Sequence, residues 1–180
     1  TVQFCLEVGK LTRESPAEDR AAHNRRLFSA PVDATLVSDG GVSDFGVGVA
    51  VRLVRNGQAR ATVKACKAHY VKYASSFSAE VAGLRAAVEM LEELIKAGSL
   101  PPRCTVLIAT DSLSSLQTLH SRGPWRTSAI CAPIWDVLLR VLPVVEQVRF
   151  AFVFGHCDCP WQSVADAEAT RLLKGPVGAW

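Results

Sequence analysis

Four acidic residues stand where a folded chain could deliver their carboxylates to one place. Asp39 follows the β-branched, apolar run Thr35-Leu36-Val37-Ser38 and precedes Gly40-Gly41, the pattern of a buried strand whose carboxylate arrives at the end of a sheet. Asp111 follows the continuous apolar run Thr105 to Thr110 and precedes Ser112, so a second strand ends in the same way. Glu80 falls in the first turn of an amphipathic helix, and Asp166 in the first turn of the last helix. Singly, each has an ordinary explanation, because an acid suits a helix N-terminus and an Asp after a strand can cap the next helix. Together, in a sheet with the two strands adjacent, all four can point at one location. Clustered carboxylates repel and raise one another's pKa, so such a group is tolerable mainly with divalent cations in it. Oxygen-only ligands favour magnesium or manganese over zinc, and two such ions about 3.5 to 4 Å apart form the clamp used for in-line attack on phosphodiesters.

The elements that must position these residues can be read in order. Thr1 to roughly Pro31 is rich in charge with no sustained apolar period and reads as a linker or docking arm, in which Arg25-Arg26 is more simply a solubilising pair than a phosphate contact. Val32 to Ser38 reads as the first strand and Asp44 to Val54 as the second. Asn56-Gly57 signals a two-residue turn, and Ala59 to Ala68 returns as a third strand in an antiparallel meander. Val81, Leu84, Val88, Leu91 and Ile95 then follow steps of three and four, the stripe of a helix packed on a sheet, with Ser78 as N-cap and Gly98 as stop. A helix begins after Asp111, Ile134 to Val145 forms another, and Trp125 and Trp135 read as packing residues. Val148 to Phe154 is the last strand. It leads through the loop Gly155 to Gln162 into a helix from about Ser163 to Lys174, and residues from Pro176 to Trp180 read as a tail.

At 180 residues the chain has the size of one domain, and a formal net charge of +3 neither demands nor forbids a polyanionic partner. Hydrophobic residues at 49% exclude a disordered chain, while no run approaches the roughly 20 apolar residues needed to cross a bilayer. No secretory signal is visible, and a first residue of Thr rather than Met suggests a segment of a longer polypeptide. The six cysteines show no paired spacing and read as reduced thiols of an intracellular protein, nucleus or cytoplasm undecided. His156, Cys157 and Cys159 could coordinate zinc, but a structural site needs four ligands and no second cluster completes this one.

The order strand-Asp39-Gly-Gly, Ser-Ala-Glu80 in a helix, Ala-Thr-Asp111-Ser closing a strand, and Gly-His156 ten positions before Asp166 resembles ribonuclease H. The loop Gly155-His156-Cys157, Pro160 and Ala165-Asp166 is most similar to the ribonuclease H domain of non-long-terminal-repeat retrotransposon polyproteins, and the resemblance covers about Val32 to Lys174. It implies an α/β fold with a mixed five-stranded sheet, the first three strands antiparallel, and helices on both faces. It implies endonucleolytic cleavage of the RNA strand of RNA-DNA hybrids with two magnesium ions, for which manganese could substitute, beside a reverse transcriptase domain in the same polyprotein. On that likeness Asp39 would bridge both ions, Glu80 and Asp111 would hold one, Asp166 would complete the other, and His156 would assist proton transfer or product departure. The amides of Gly40 and Gly41 and the polar start of the helix at Ser112 would contact the substrate, where selectivity for RNA requires recognition of the 2′-hydroxyl. Ser38, Gly41, Asp158 and Trp161 depart from residues usual in the family, and none of these departures removes a metal ligand or the histidine. The competing readings are an inert binding or assembly module of the same fold and an integrase- or exonuclease-type nuclease.

Overall fold

Burial of the apolar runs produces an α/β architecture around one mixed sheet of six strands. The computed structural model describes residues 1–43, 46–55, 63–68, 75–123, 128–156 and 160–174. In chain order the strands are β1 (Val2–Cys5), β2 (Ala34–Ser43), β3 (Gly46–Val54), β4 (Val63–Ala68), β5 (Thr105–Thr110) and β6 (Gln147–Phe152). The helices are α1 (Ala17–Phe28), α2 (Ser76–Lys96), α3 (Leu113–Arg122), α4 (Ala132–Val141) and α5 (Pro160–Lys174). Across the sheet the order is β1-β6-β5-β2-β3-β4. The expected meander is present, with β2, β3 and β4 antiparallel, while β2 with β5, β5 with β6 and β6 with β1 are parallel.

Why β5 is an unbroken apolar run is now evident. It lies between two parallel neighbours and is covered on both faces, so Val106, Leu107, Ile108 and Ala109 are all buried. On one face the main core gathers Leu36, Leu84, Leu91, Ile108, Ile134 and Phe150 beneath α2 and α4. On the other, Val37, Ala50, Ala109 and Val153 meet Ala165 and Ala169 of α5, with Leu27 and Phe28 of α1 packed against them. Trp135 is buried as a packing residue and donates its indole N–H to the Leu119 carbonyl at 3.2 Å.

Two expectations are corrected. The first concerns residues 1–31, which are no loose arm: β1 pairs with β6 as a sixth, edge strand, and Phe4 stacks on Phe150 with ring centroids 5.1 Å apart. Helix α1 escapes apolar periodicity because two of its buried residues are polar. Asn24 donates to the Phe154 carbonyl at 2.9 Å and accepts from the Phe154 amide at 2.8 Å, while a ring nitrogen of His23 lies 3.1 Å from the Phe152 carbonyl. The second concerns element bounds. β2 does not stop at Ser38 but runs through Asp39, Gly40 and Gly41, which pair with Ala50, Val49 and Gly48. α2 begins three residues earlier than expected, with Ser75 as N-cap and Ser78 as the returning partner of a capping box. The Asn56-Gly57 turn, Asp44, Cys157, Asp158 and the residues after Lys174 lie outside the described residues.

Candidate metal centre

Strand parity brings the first two carboxylates to one face. Side chains alternate along a strand, so Asp39 shares the side of Val37 and Asp111 the side of Ala109, both in the core beneath α5. Val37 and Ala109 are register partners in the parallel pair; two residues further on, Asp39 within β2 and Asp111 just past the end of β5 bring their carboxylates together. Asp166 follows Ala165, which α5 buries in that same core, and carries the third carboxylate into the neighbourhood.

Glu80 comes from the opposite face, and glycine makes that approach possible. A Cβ on Gly40 would meet the Ala79 carbonyl oxygen at 2.1 Å, so backbone touches backbone where α2 crosses β2. One turn on, a Cβ on Gly83 would lie 3.1 Å from the Asp39 carbonyl oxygen. The two glycines seat the helix low enough for Glu80 to reach the cluster. Neither Glu80 nor Asp166 lies in the first turn of its helix, contrary to expectation, because α2 and α5 both begin earlier. Compensation of the helix dipole therefore explains neither acid, since that effect fades beyond the first turn.

Asp39, Glu80 and Asp111 each offer a carboxylate oxygen, and these oxygens lie within 4.8 Å of one another. Asp166 is not among these three, but its charge raises the Asp39 carboxyl, so it stands within electrostatic reach of the cluster. Burial first, then the charges of Asp111 and Asp166, pushes the Asp39 carboxyl up to about 7, against the pull of the Gly40 amide. Burial, Asp111 and Asp39 push Glu80 up to about 8, and Asp111 is raised mainly by burial. Glu80 Oε2 is buried with no hydrogen-bond partner. A buried, orphaned carboxylate oxygen facing two more carboxylates is the donor set that a hard divalent cation satisfies, so the residues fit magnesium or manganese.

His156 is exposed on the turn after β6 and adopts φ +54°, a left-handed conformation uncommon for a residue with a Cβ. The preceding Gly155 lies so close to the Asp111 carboxylate that a Cβ there would meet Oδ2 at 2.4 Å. The charge of His156 acts to lower the Asp111 carboxyl. The three candidate substrate contacts fare differently. The Gly40 amide acts to lower the carboxyls of Asp39 and Glu80, Ser112 is buried with its hydroxyl 2.7 Å from that of Ser115, and Gly41 is half-buried in β2.

No protein-family model matches the chain, and no curated protein matches it. The cluster is thus read from its own geometry. Sequence reasoning missed Gly83, whose place inside a helical stripe was the available signal: glycine costs about 1 kcal/mol there relative to Ala, so a packing reason is expected. It also missed Asn24, for which a charged arm without periodicity offered no signal.

Proposed function

We propose that this chain is an endonuclease that hydrolyses the RNA strand of RNA-DNA hybrids, with its sheet and helices forming a ribonuclease H-like scaffold. The observation that carries the reading is the three-element carboxylate cluster of Asp39, Glu80 and Asp111, with Glu80 Oε2 buried and unpartnered. Asp39, Glu80, Asp111 and Asp166 would hold two divalent cations, magnesium or manganese. Bound there, the cations supply Lewis-acid activation of water and neutralise charge developing on the phosphodiester.

The chain's own residues do the rest. The Asp39 and Glu80 carboxyls, raised by burial and by neighbouring carboxylates, hold protons near neutral pH and surrender them to a cation. The backbone contacts of Gly40 and Gly83 fix the distance between Asp39 and Glu80, so the ligand set is pre-organised. The His156 imidazole, exposed at the rim beside Asp111, stands where it can pass a proton at the edge of the site. Discrimination of RNA from DNA requires contacts to 2′-hydroxyls, for which the rim at Gly41 and the first turn of α3 is the nearest surface. Such an activity fits a polyprotein whose reverse transcriptase domain makes the hybrid.

The test is incubation of the purified chain and magnesium with a hybrid labelled on either strand, beside RNA-RNA and DNA-DNA duplexes. Cutting confined to the RNA of the hybrid is expected. Cutting of the DNA duplex would favour an integrase- or exonuclease-type nuclease, and binding without cutting would favour an inert module.

A further inference from the structure

We propose that Arg13 is a substrate-positioning residue whose guanidinium grips a nucleic-acid phosphate adjacent to the one held at the carboxylate cluster. The proposal rests on the nuclease reading above and extends it to a segment outside the sequence resemblance. The turn that carries Arg13 is built, not loose. The Leu11 amide donates to the Val8 carbonyl at 3.1 Å and the Ser15 amide to the Thr12 carbonyl at 3.2 Å. The Thr12 amide donates to Ser15 Oγ at 2.9 Å, and the Glu14 amide to Thr12 Oγ1 at 3.2 Å. Both flanks are tied to β6, through the β1 pairing on one side and through His23 and Asn24 on the other.

Between this turn and the start of α3 lies a concavity of about 330 Å³. Thr12, Arg13, Ser114 and Gln117 supply its polar lining, with Leu11 and Phe152 among its apolar walls. Helix α3 begins two residues after Asp111, so the concavity adjoins the cluster. Burial raises the carboxyls of Glu80 and Asp111, and the charge of Arg13 pulls both back down, so it lies within electrostatic reach of two cluster residues. Yet Arg13 is exposed, and none of the ion pairs among the described residues includes it. An uncommitted guanidinium beside an acidic cluster is free to meet an incoming anion, and its planar fork matches a phosphate bidentately. The hydroxyl and amide groups of Thr12, Ser114 and Gln117 suit the sugar and phosphate oxygens flanking that contact.

The test uses the full chain and reads binding separately from cutting. In an Asp39→Asn background, anisotropy of a labelled hybrid gives Kd as a function of salt. Adding Arg13→Ala is expected to weaken binding about tenfold. It should also lower the slope of log Kd against log salt by about one, the signature of one lost phosphate contact. With Asp39 intact, Arg13→Ala should raise KM for the hybrid with kcat nearly unchanged, and Arg13→Lys should restore most of the salt slope. Unchanged affinity and slope in Arg13→Ala would overturn the proposal. So would faster cutting at low magnesium, which identifies Arg13 as a competitor of the cation. A parent chain that binds the hybrid with the Arg13-dependent slope but cuts nothing overturns the nuclease reading and leaves the phosphate contact standing.

Discussion

Asp39 and Glu80 hold their protons up to about pH 7 and about pH 8, chiefly because burial penalises their charged forms and the neighbouring carboxylates add to it. An unfolded chain releases the same protons near pH 4. Between about pH 4 and about pH 8 the folded, cation-free protein thus binds more protons than the unfolded chain, and its stability falls as pH rises. A divalent cation that binds the ionised cluster reverses the trend. The melting temperature in chelator should therefore drop between pH 5 and pH 8, and magnesium should raise it more at pH 8 than at pH 5. An equal magnesium shift at both values would mean that the cation binds elsewhere. The residue types were legible in the sequence because Asp39 and Asp111 end apolar runs, a signal carried by local hydrophobicity alone. The orphaned state of Glu80 Oε2 was not, since it depends on what the fold packs around that oxygen.

The crossing of α2 over β2 is the element-scale device on which the site depends. Gly40 meets the rigid carbonyl of Ala79, which cannot swing aside as the tip of a long side chain could. Gly40→Ala should consequently cost about 3 kcal/mol or more in urea unfolding, at the upper end of ordinary overpacking. Any folded fraction should bind magnesium weakly, because lifting the helix withdraws Glu80; near-parental stability with normal activity would show that the crossing does not set the site. A second device is the two-way clamp of Asn24 on the backbone of Phe154, one residue before Gly155. Asn24→Ala strips two hydrogen bonds from a buried residue and should destabilise the chain by roughly 2 to 4 kcal/mol, read from the urea midpoint. A cost below about 0.5 kcal/mol would mean that water replaces the side chain without loss. The order of strands and helices from β2 to α5 was legible, because their sequences carry apolar residues at recognisable periods. Helix starts were less so: Ser75 and Ser78 are both competent caps, and only their reciprocal bonds reveal which is N-cap and which is N3.

At the scale of the whole molecule, residues 1–31 belong to the fold. β1 covers the edge of β6, and α1 lays Leu27 and Phe28 against the smaller core. Their sequence concealed this, because a four-residue edge strand is too short to display alternation and α1 docks partly through His23 and Asn24 instead of a continuous apolar stripe. A chain beginning at Val32 should melt more than about 5 °C below the full chain, since two elements and their burial are lost; co-incident melting would return the segment to the status of a linker. The same segment brings Arg13 within electrostatic reach of Glu80 and Asp111, two members of a site otherwise assembled from four distant stretches of sequence. The most direct measurement is cleavage of an RNA-labelled hybrid while magnesium is titrated from zero, comparing the parent chain with Asp39→Asn. Cutting should be absent in chelator, appear with magnesium, and fall in Asp39→Asn by more than the roughly 10 to 100-fold typical of an outer-shell loss. Equal cutting by both proteins, or cutting that persists without a divalent cation, would contradict the assignment of the cluster as the metal-dependent nuclease centre.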